Sequence, residues 1–479
     1  MKTNQLLENT EKTLREMFFN SSDFKSTQFQ CGGRQHNLFY LDTMIESKLV
    51  QEYIIQPLLH KEFGNVRERV SILDYSETKV LTDVANAMVG GSTVLQIEGE
   101  SIFYLLNTES TKQRQISIPL NERSLRGSNE ALNENLNTNL NILRRLVATP
   151  DLVVKSLQIG KKSNTNVSVL YLQSLANDVV IMEFERRIAS IDIDYLEAPG
   201  FVQELINEKK FSLFPKYLVS ERPDRVRSYL MDGKIAILTD GSPDCLILPV
   251  SFWAFFQTPD DYHIGWLMGS GLRLLRIISF LVGISLPGLY VALVTFDPRI
   301  IPFEIVLTLQ NSMYYVPMPP ILEAITMLLI LEVLREATVR LPSPIGQTIG
   351  VVGGIVIGTV VVQTNLISNM MVVVVALTAI ASFNIPSYEM SSATRFLTYF
   401  FIILAACFGL IGVEIAFLIL IIHLSSLDTM GIPYFYVWNT WGAIKDTLFR
   451  GPIGWLKKRS LESMAKDETR MKTTSGSNK

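Results

Sequence analysis

The chain has 479 residues, a formal net charge of −3, 19% charged and 48% hydrophobic residues, and a mean hydropathy of +0.25. Soluble domains carry about 25% charged residues, so this chain is neither intrinsically disordered nor a nucleic-acid binder working by bulk charge. Residues 272–450 hold only 17 of the 89 charged side chains, which divides the chain into a half for water and a half for lipid. Cys31, Cys245 and Cys407 form no CxxC pattern and suit a reducing compartment. His36, His60, His263 and His423 lack metal-ligand spacing. The first 20 residues are polar, with no apolar signal-peptide core, which places the water-soluble half in the cytosol.

Residues 1–265 mix helical and strand periods, an α+β cytosolic region in two subdomains, 1–115 and 116–265. Residues 6–19 and 48–59 have helical spacing, with a short strand at 37–41 between them. Residues 78–89 read as a helix ended by Gly90 and Gly91. Residues 94–97 and 102–105 flank Glu98, Gly99 and Glu100 as a hairpin. The polar stretch 107–130, with Pro119 and Gly127, is the joint. Beyond it, 130–147 reads as a helix, 167–172 as a strand and 178–191 as an amphipathic helix. Asp240, Gly241, Ser242 and Pro243 separate the apolar runs 234–238 and 245–250, a second hairpin signal.

Residues 266–425 read as a polytopic α-helical membrane domain of four to six spans, followed by an interfacial segment and polar tail at 426–479. Residues 271–295, 345–363 and 370–385 are apolar enough to cross. Residues 301–309 are too short and precede Pro317, Pro319 and Pro320, which suits an interfacial or re-entrant place. Residues 321–341 are long enough but carry Glu323, Glu332, Arg335, Glu336 and Arg340. Residues 396–424, interrupted by Gly409, Gly412 and Glu414, fit one tilted helix or a tight hairpin. Arg273 and Arg276 at one end and Lys457, Lys458 and Arg459 at the other favour both ends inside. That demands an even number of crossings, whereas the simplest count is five. Tyr434, Tyr436, Trp438 and Trp441 read as an aromatic belt.

Gly346, Gly350, Gly354 and Gly358 recur every four residues, with Gly353 beside them. A face without side chains lets another backbone approach, and so much glycine needs a tight neighbour. Thr348, Val352, Ile355, Thr359 and Gln363 fall on the opposite face, with Val362 near them. That face meets lipid in an ordinary bundle or lines a conduit in an oligomer. Glu332–Arg335 and Glu336–Arg340 have the spacing of neutralising pairs, at an interfacial helix end or a water-filled path. Glu323 and Glu414 stand in apolar runs as candidate intramembrane carboxylates.

Enzyme signatures are absent. Gly160, Lys161, Lys162 and Ser163 resemble the end of a P-loop, but Lys155 stands where its first glycine belongs. Asp192 and Asp194 read as a solvated edge. Arg222, Arg225 and Arg227 read as a solvated basic face, with lipid headgroups or a cytosolic partner as the lesser option. No catalytic residue, metal or cofactor is expected.

Several segments carry a family resemblance. Residues 228–256 (SYLMDGKIAILTDGSPDCLILPVSFWAFF) lead into QTPDDY at 257–262. Then come PMPPILEAITMLLILEVLREATVRLP from Pro317, IGQTIGVVGGIVIG from Ile345 and VVVALTAIASF from Val373. NSSD at 20–23 and GIPY at 431–434 fit the same pattern. Together these resemble the A subunits of GerA-type spore germination receptors. The resemblance implies a multi-pass protein of the spore inner membrane with its large N-terminal region in the cytosol. It implies a transporter-like B subunit that senses nutrient and a C-subunit lipoprotein as partners, and a homo-oligomeric ring that conducts ions once nutrient binds. In that setting Thr348, Thr359 and Gln363 become polar pore lining, and Val352, Ile355 and Val362 a hydrophobic constriction. A secondary transporter or a non-conducting accessory subunit are the alternatives. The chain departs from the family at NSMYY (311–315), at Thr338 in place of the usual Gly, and at the bulkier 358–365.

Overall fold

The structure, a computed structural model, describes residues 2–60, 66–109, 119, 122, 126–207, 211–436, 446–459 and 463–471. Helix α1 (Lys2–Met17) leads into β1 (Phe24–Cys31) and β2 (Arg34–Leu41). A helical run follows through α2 (Ser47–Val50), a π-helical turn at Gln51–Ile55, α3 (Gln56–His60) and α4 (Val66–Arg69). Strand β3 (Tyr75–Thr78), helix α5 (Leu81–Val89) and strands β4 (Ser92–Ile97) and β5 (Phe103–Asn107) complete an antiparallel sheet of order β1-β2-β4-β5-β3. Strand side chains point alternately to the two faces. Phe24, Phe39, Leu41 and Val94 pack on Leu14, Phe18, Val84 and Met88 on one side. Leu38, Leu95 and Ile97 pack on Val50, Ile54 and Leu58 on the other. The helix expected over 78–89 begins only at Leu81, because Thr78 closes β3. Strand β1 was not foreseen: its middle is polar and half-exposed, as an edge strand allows.

The second sheet is built from β6 (Leu152–Ile159), β7 (Thr165–Leu172), β8 (Leu218–Ser220), β9 (Ile235–Thr239) and β10 (Cys245–Leu248). Helix α6 (Leu136–Leu146) precedes it, and α7 (Asp178–Ala189), α8 (Pro199–Leu205) and α9 (Pro223–Met231) join its strands. The order β6-β7-β9-β10-β8 repeats the first sheet strand for strand, with every neighbour antiparallel in both. One topology is therefore used twice with different side chains. Both faces of the second sheet are covered, so β9 and β10 are buried along their whole length.

NSSD joins the two sheets. Arg144 on α6 donates from Nη2 to Asp23 Oδ2 at 2.7 Å, and both side chains are almost wholly buried. Ser21 and Thr43 hydroxyls donate to the same carboxylate at 2.6 and 2.9 Å. Arg144 Nη1 donates to the Leu152 carbonyl at 2.7 Å. The Val154 amide donates to Ser21 Oγ at 2.9 Å, and the Ser22 amide to the Val154 carbonyl at 2.7 Å.

A short helix, α10 (Asp260–His263), leads to α11 (Trp266–Thr295), α12 (Phe303–Met313), α13 (Pro320–Arg340), α14 (Ser343–Gln363), α15 (Asn369–Phe383) and α16 (Tyr388–Ser425). By length and composition α11 and α16 can cross a bilayer, but α16 is not one rod. Gly409 has φ 61° and ψ −140°, and the chain folds back there. Phe401 and Phe417 meet edge to face with ring centroids 4.8 Å apart, where a straight helix would separate them by about 24 Å. A Cβ on Gly412 would fall 2.0 Å from the Leu404 carbonyl oxygen. Of the two arrangements open for 396–424, the hairpin is the one found.

Helix directions then alternate. Tyr290 meets Ser368 (3.3 Å), and Asn384 donates to Ser279 (2.8 Å), so α15 runs against α11. Glu323 meets Ser368 (2.8 Å) and Arg335 meets Ser382 (3.4 Å), so α13 runs with α15. Helix α14 runs against α13, with Gly346 beside Thr338 and Gly353 beside Leu334. The first arm of α16 runs with α11, Thr398 donating to the Gly283 carbonyl at 2.9 Å. The second arm returns to the second sheet. There β11 (Asp428–Thr429) pairs with β12 (Ile432–Pro433), and the Phe252 amide donates to the Tyr434 carbonyl at 3.0 Å.

Asp23→Ala leaves the Arg144 guanidinium buried without its counter-charge and should lower unfolding stability by about 3–5 kcal/mol; denaturant melts of the purified chain measure it, and a loss under about 1 kcal/mol would count against the latch. Spin labels at Glu389 and Ser425 should lie within about 30 Å in pulsed dipolar spectroscopy, as adjacent arms require, against about 54 Å for a continuous helix.

Candidate functional site in the helical region

Helix α14 contacts the rest of the bundle along α13. A Cβ on Gly346 would lie 2.8 Å from the Thr338 carbonyl, one on Gly353 3.0 Å from Leu334 Cδ2, and one on Gly350 3.5 Å from Thr338 Cγ2. Those three glycines are the α13 contact, and Thr338, a departure from the family pattern, fits against Gly350. Gly354 and Gly358 would meet nothing within 4 Å. The five glycines are thus not one packing face: Gly353 replaces Gly354 at the α13 contact, because in a helix of 3.6 residues per turn a position seven on from Gly346 lies about 20° from it and one eight on about 80°. Among the residues of the opposite face, Thr348, Val352, Ile355, Thr359 and Gln363 are exposed and Val362 is half-buried. Thr359 donates to its own helix at the Ile355 carbonyl, 2.8 Å away.

Charges in the region divide into three environments. Glu323 on α13 is wholly buried, and its Oε2 accepts the Ser368 amide at 2.8 Å. Ser368 is the N-cap of α15, its side chain accepting from the Met371 amide, so Glu323 sits where the positive end of a helix favours a carboxylate. Glu332 and Arg335 pair at 3.3 Å, and Arg395 of α16 joins Glu332 at 3.6 Å. Arg335 also lies 4.7 Å from the Phe383 ring. Glu336 and Arg340 pair at 2.5 Å on the surface. Glu414, grouped with Glu323 from its sequence context, differs from it. It faces outward on the returning arm of α16 and carries no ion pair among the described residues.

A second polar cluster joins the α/β half to the bundle and was not singled out beforehand. Asp261, of the QTPDDY segment, is wholly buried between Arg276 (2.8 Å) and Arg273 (3.4 Å). Arg273 Nη1 donates to the Asp446 carbonyl at 2.6 Å. The Tyr262 hydroxyl donates to Asp446 Oδ1 at 2.6 Å, and burial followed by the Asp446 carboxylate pushes its pKa up. Arg450 lies 5.3 Å from the Tyr262 ring and donates to the Ile264 carbonyl at 2.8 Å. Arg273 and Arg276, read from the sequence as positive charges marking the inside end of a span, are internal partners of this junction. The signal that could have found it was two acids, Asp260 and Asp261, followed within the first turns of the next apolar helix by two arginines one turn apart.

Two further readings change. Of the basic cluster, Arg222 pairs with Asp224 at 2.6 Å and Arg225 with Glu122, both buried; only Arg227 is exposed. Tyr434 is wholly buried among Phe252 and Phe255, not interfacial, since GIPY turns the chain back under the second sheet. Tyr436 is half-buried, and Trp438 and Trp441 lie outside the described residues. The lysines of the glycine turn, Lys161 and Lys162, form exposed ion pairs with Asp192 and Asp194. Cys31 and Cys245 are buried free thiols and Cys407 an exposed one.

A family model described as Bacillus/Clostridium GerA spore germination protein matches residues 12–461. Spore germination protein B1 of Bacillus subtilis (strain 168) is 34% identical over 97% of this chain and 99% of its own length. Spore germination protein GerLA of Bacillus cereus is 34% identical over 90% of this chain and 89% of its own. The solved N-terminal domain of the A subunit of the Bacillus megaterium spore germinant receptor GerK3 is 28% identical, covering 50% of this chain and 93% of that one with a TM-score of 0.40. With a family match spanning all but the two ends and curated relatives aligned along almost their whole length, the chain belongs to the GerA family of spore germination proteins.

Proposed function

We propose that the chain is the A-type subunit of a nutrient-responsive spore germination receptor and forms its oligomeric, ion-conducting component. It opens when a transporter-like B subunit binds germinant, with a C-subunit lipoprotein completing the complex at the spore inner membrane. The observation that carries this reading is the position of α14. Its 21 residues extend about 32 Å, close to a bilayer core, yet a single copy covers it mainly along the α13 edge. Val351, Val352, Ile355 and Val356 are each more than half exposed, and Gly354 and Gly358 leave bare backbone beside them. Bare glycine positions let a second helix approach closely. A ring of copies closes over them and turns Thr348, Thr359 and Gln363 toward an axis that Val352, Ile355 and Val362 narrow.

The alternating helix directions support this arrangement. Helices α11, α13, α14, α15 and the two arms of α16 make six crossings, the even number that both ends inside require. Lys457, Lys458 and Arg459 in the tail support a cytosolic side for the α/β half. On this reading residues 1–115 and 116–265 form the cytosolic body, 266–425 the membrane domain, and 426–479 the return to the body.

A hydrophobic constriction gates by excluding water, and smaller side chains lower that barrier. Val352→Ala and Val362→Ala should each give ion release and germination without nutrient. If both variants release ions at the wild-type rate and only with nutrient, α14 is not the gate. Single-channel recording from the purified chain separates the alternatives: stepwise conductance supports a channel, whereas saturable flux without conductance steps replaces it with a carrier.

A further inference from the structure

Between α9, the 257–262 segment and the C-terminal tail lies a cavity of about 560 Å3. Its wall holds seven lysine and arginine side chains against four carboxylates, together with Tyr229, Tyr262, Tyr436 and Trp455. The carboxylates are already engaged. Asp224 holds Arg222 at 2.6 Å, Asp232 meets Arg470 at 3.6 Å, Asp446 accepts from the Tyr262 hydroxyl at 2.6 Å, and Glu468 pairs with Lys458 at 3.0 Å. Arg227, from α9, and Lys457, from the tail, line the same space, are exposed, and have no acidic partner among the described residues. Behind them Lys234, only 2% exposed, holds its ammonium 4.5 Å from the Tyr229 ring. A recess with surplus cations and low-dielectric aromatic walls concentrates anions.

The size and the rim narrow the ligand. A bare phosphate would leave most of the space empty, whereas sites of this volume suit organic molecules. Trp455 is 62% exposed, and Ile453 near it and Trp266, Leu267 and Met268 just beyond His263 are exposed as well. The cavity is thus bordered in the chain by the apolar residues that open α11.

We propose that this cavity binds an organic phosphate anion, with Arg227 and Lys457 holding the phosphate and Trp455 covering the organic part. The guanidinium of Arg227 offers a fork of donors to two phosphate oxygens, and Lys457 adds a point charge from the other wall. Two sources supply this chemistry: an anionic phospholipid headgroup and a soluble phosphate ester. The lipid source rests on the membrane reading above, and the soluble one does not.

The test uses the full chain in detergent, titrated with phosphatidylglycerol, phosphatidylcholine or glycerol 1-phosphate, with binding read by native mass spectrometry and melting temperature. Phosphatidylglycerol should bind and raise the melting temperature, phosphatidylcholine should not, and Arg227→Gln/Lys457→Gln should weaken binding about tenfold or more. Glycerol 1-phosphate binding without phosphatidylglycerol binding, lost in the same variant, assigns the cavity to a soluble ester. Equal binding of phosphatidylglycerol and phosphatidylcholine, or equal retention by wild type and variant, overturns the proposal. Should the double variant fail to fold, Lys457→Gln alone and Trp455→Ala carry the comparison. Incorporation of the unliganded chain into nanodiscs is scored separately, so a failed membrane reading is distinguishable from a failed site.

Discussion

Asp261 is wholly buried against two arginines that begin a long apolar helix, and the join between the two halves of this protein depends on it. Burying a guanidinium without a counter-charge costs about 3–5 kcal/mol. Here Arg273 and Arg276 share the Asp261 carboxylate, and the Asp446 and Phe256 carbonyls accept from Arg273 Nη1 at 2.6 Å and Arg276 Nη1 at 3.1 Å. The backbone closes tightly around the group: a Cβ on Gly269 would lie 2.7 Å from the Asp261 carbonyl oxygen. The start of α11, the 257–262 segment and the tail after residue 446 therefore hold one geometry together. Phe280 of α11 packs on Phe252 and Phe256, in the turn that follows β10, and shares one apolar core with the second sheet.

The same economy of contact appears in the helical region, where glycines mark contact points. Gly283, Gly288 and Gly346 each bring a neighbouring helix so near that a Cβ would stand about 3 Å from its atoms. Gly409 supplies the reversal that lets α16 cover α11 with both arms. Gly354 and Gly358 of α14, like Gly271 near the start of α11, break this rule and face open space. On α14 these two bare positions stand side by side with the exposed Val351, Val352, Ile355 and Val356.

Much of the fold was readable from local pattern. Apolar runs on either side of turn residues announced β4, β5, β9 and β10, alternation announced β7, and the turns at Gly99 and Gly241 carry the positive φ that glycine allows. The pairs Glu332–Arg335 and Glu336–Arg340 followed from helical spacing alone. Family membership was legible in the order and wording of several motifs. The edge strand β1 escaped because half its side chains are wet and polar, so it lacks the apolar alternation of an inner strand.

What the sequence determined by itself was the periodicity of each segment, the segregation of charge between two solvents, and the family. Those properties depend on neighbours a few residues apart. The tertiary structure decided which distant residues share a site: Asp23 with Arg144, Glu323 with Ser368, Arg395 with Glu332, and Asp261 with Arg273 against the tail. It also decided that residues 396–424 fold back on themselves, that Glu414 faces outward while Glu323 is enclosed, and that Gly353 rather than Gly354 meets α13. The physical reason is the same throughout. A buried polar group must find a partner and a helix must cover its apolar face, and the chain supplies both from wherever packing brings it, with no regard for separation along the sequence.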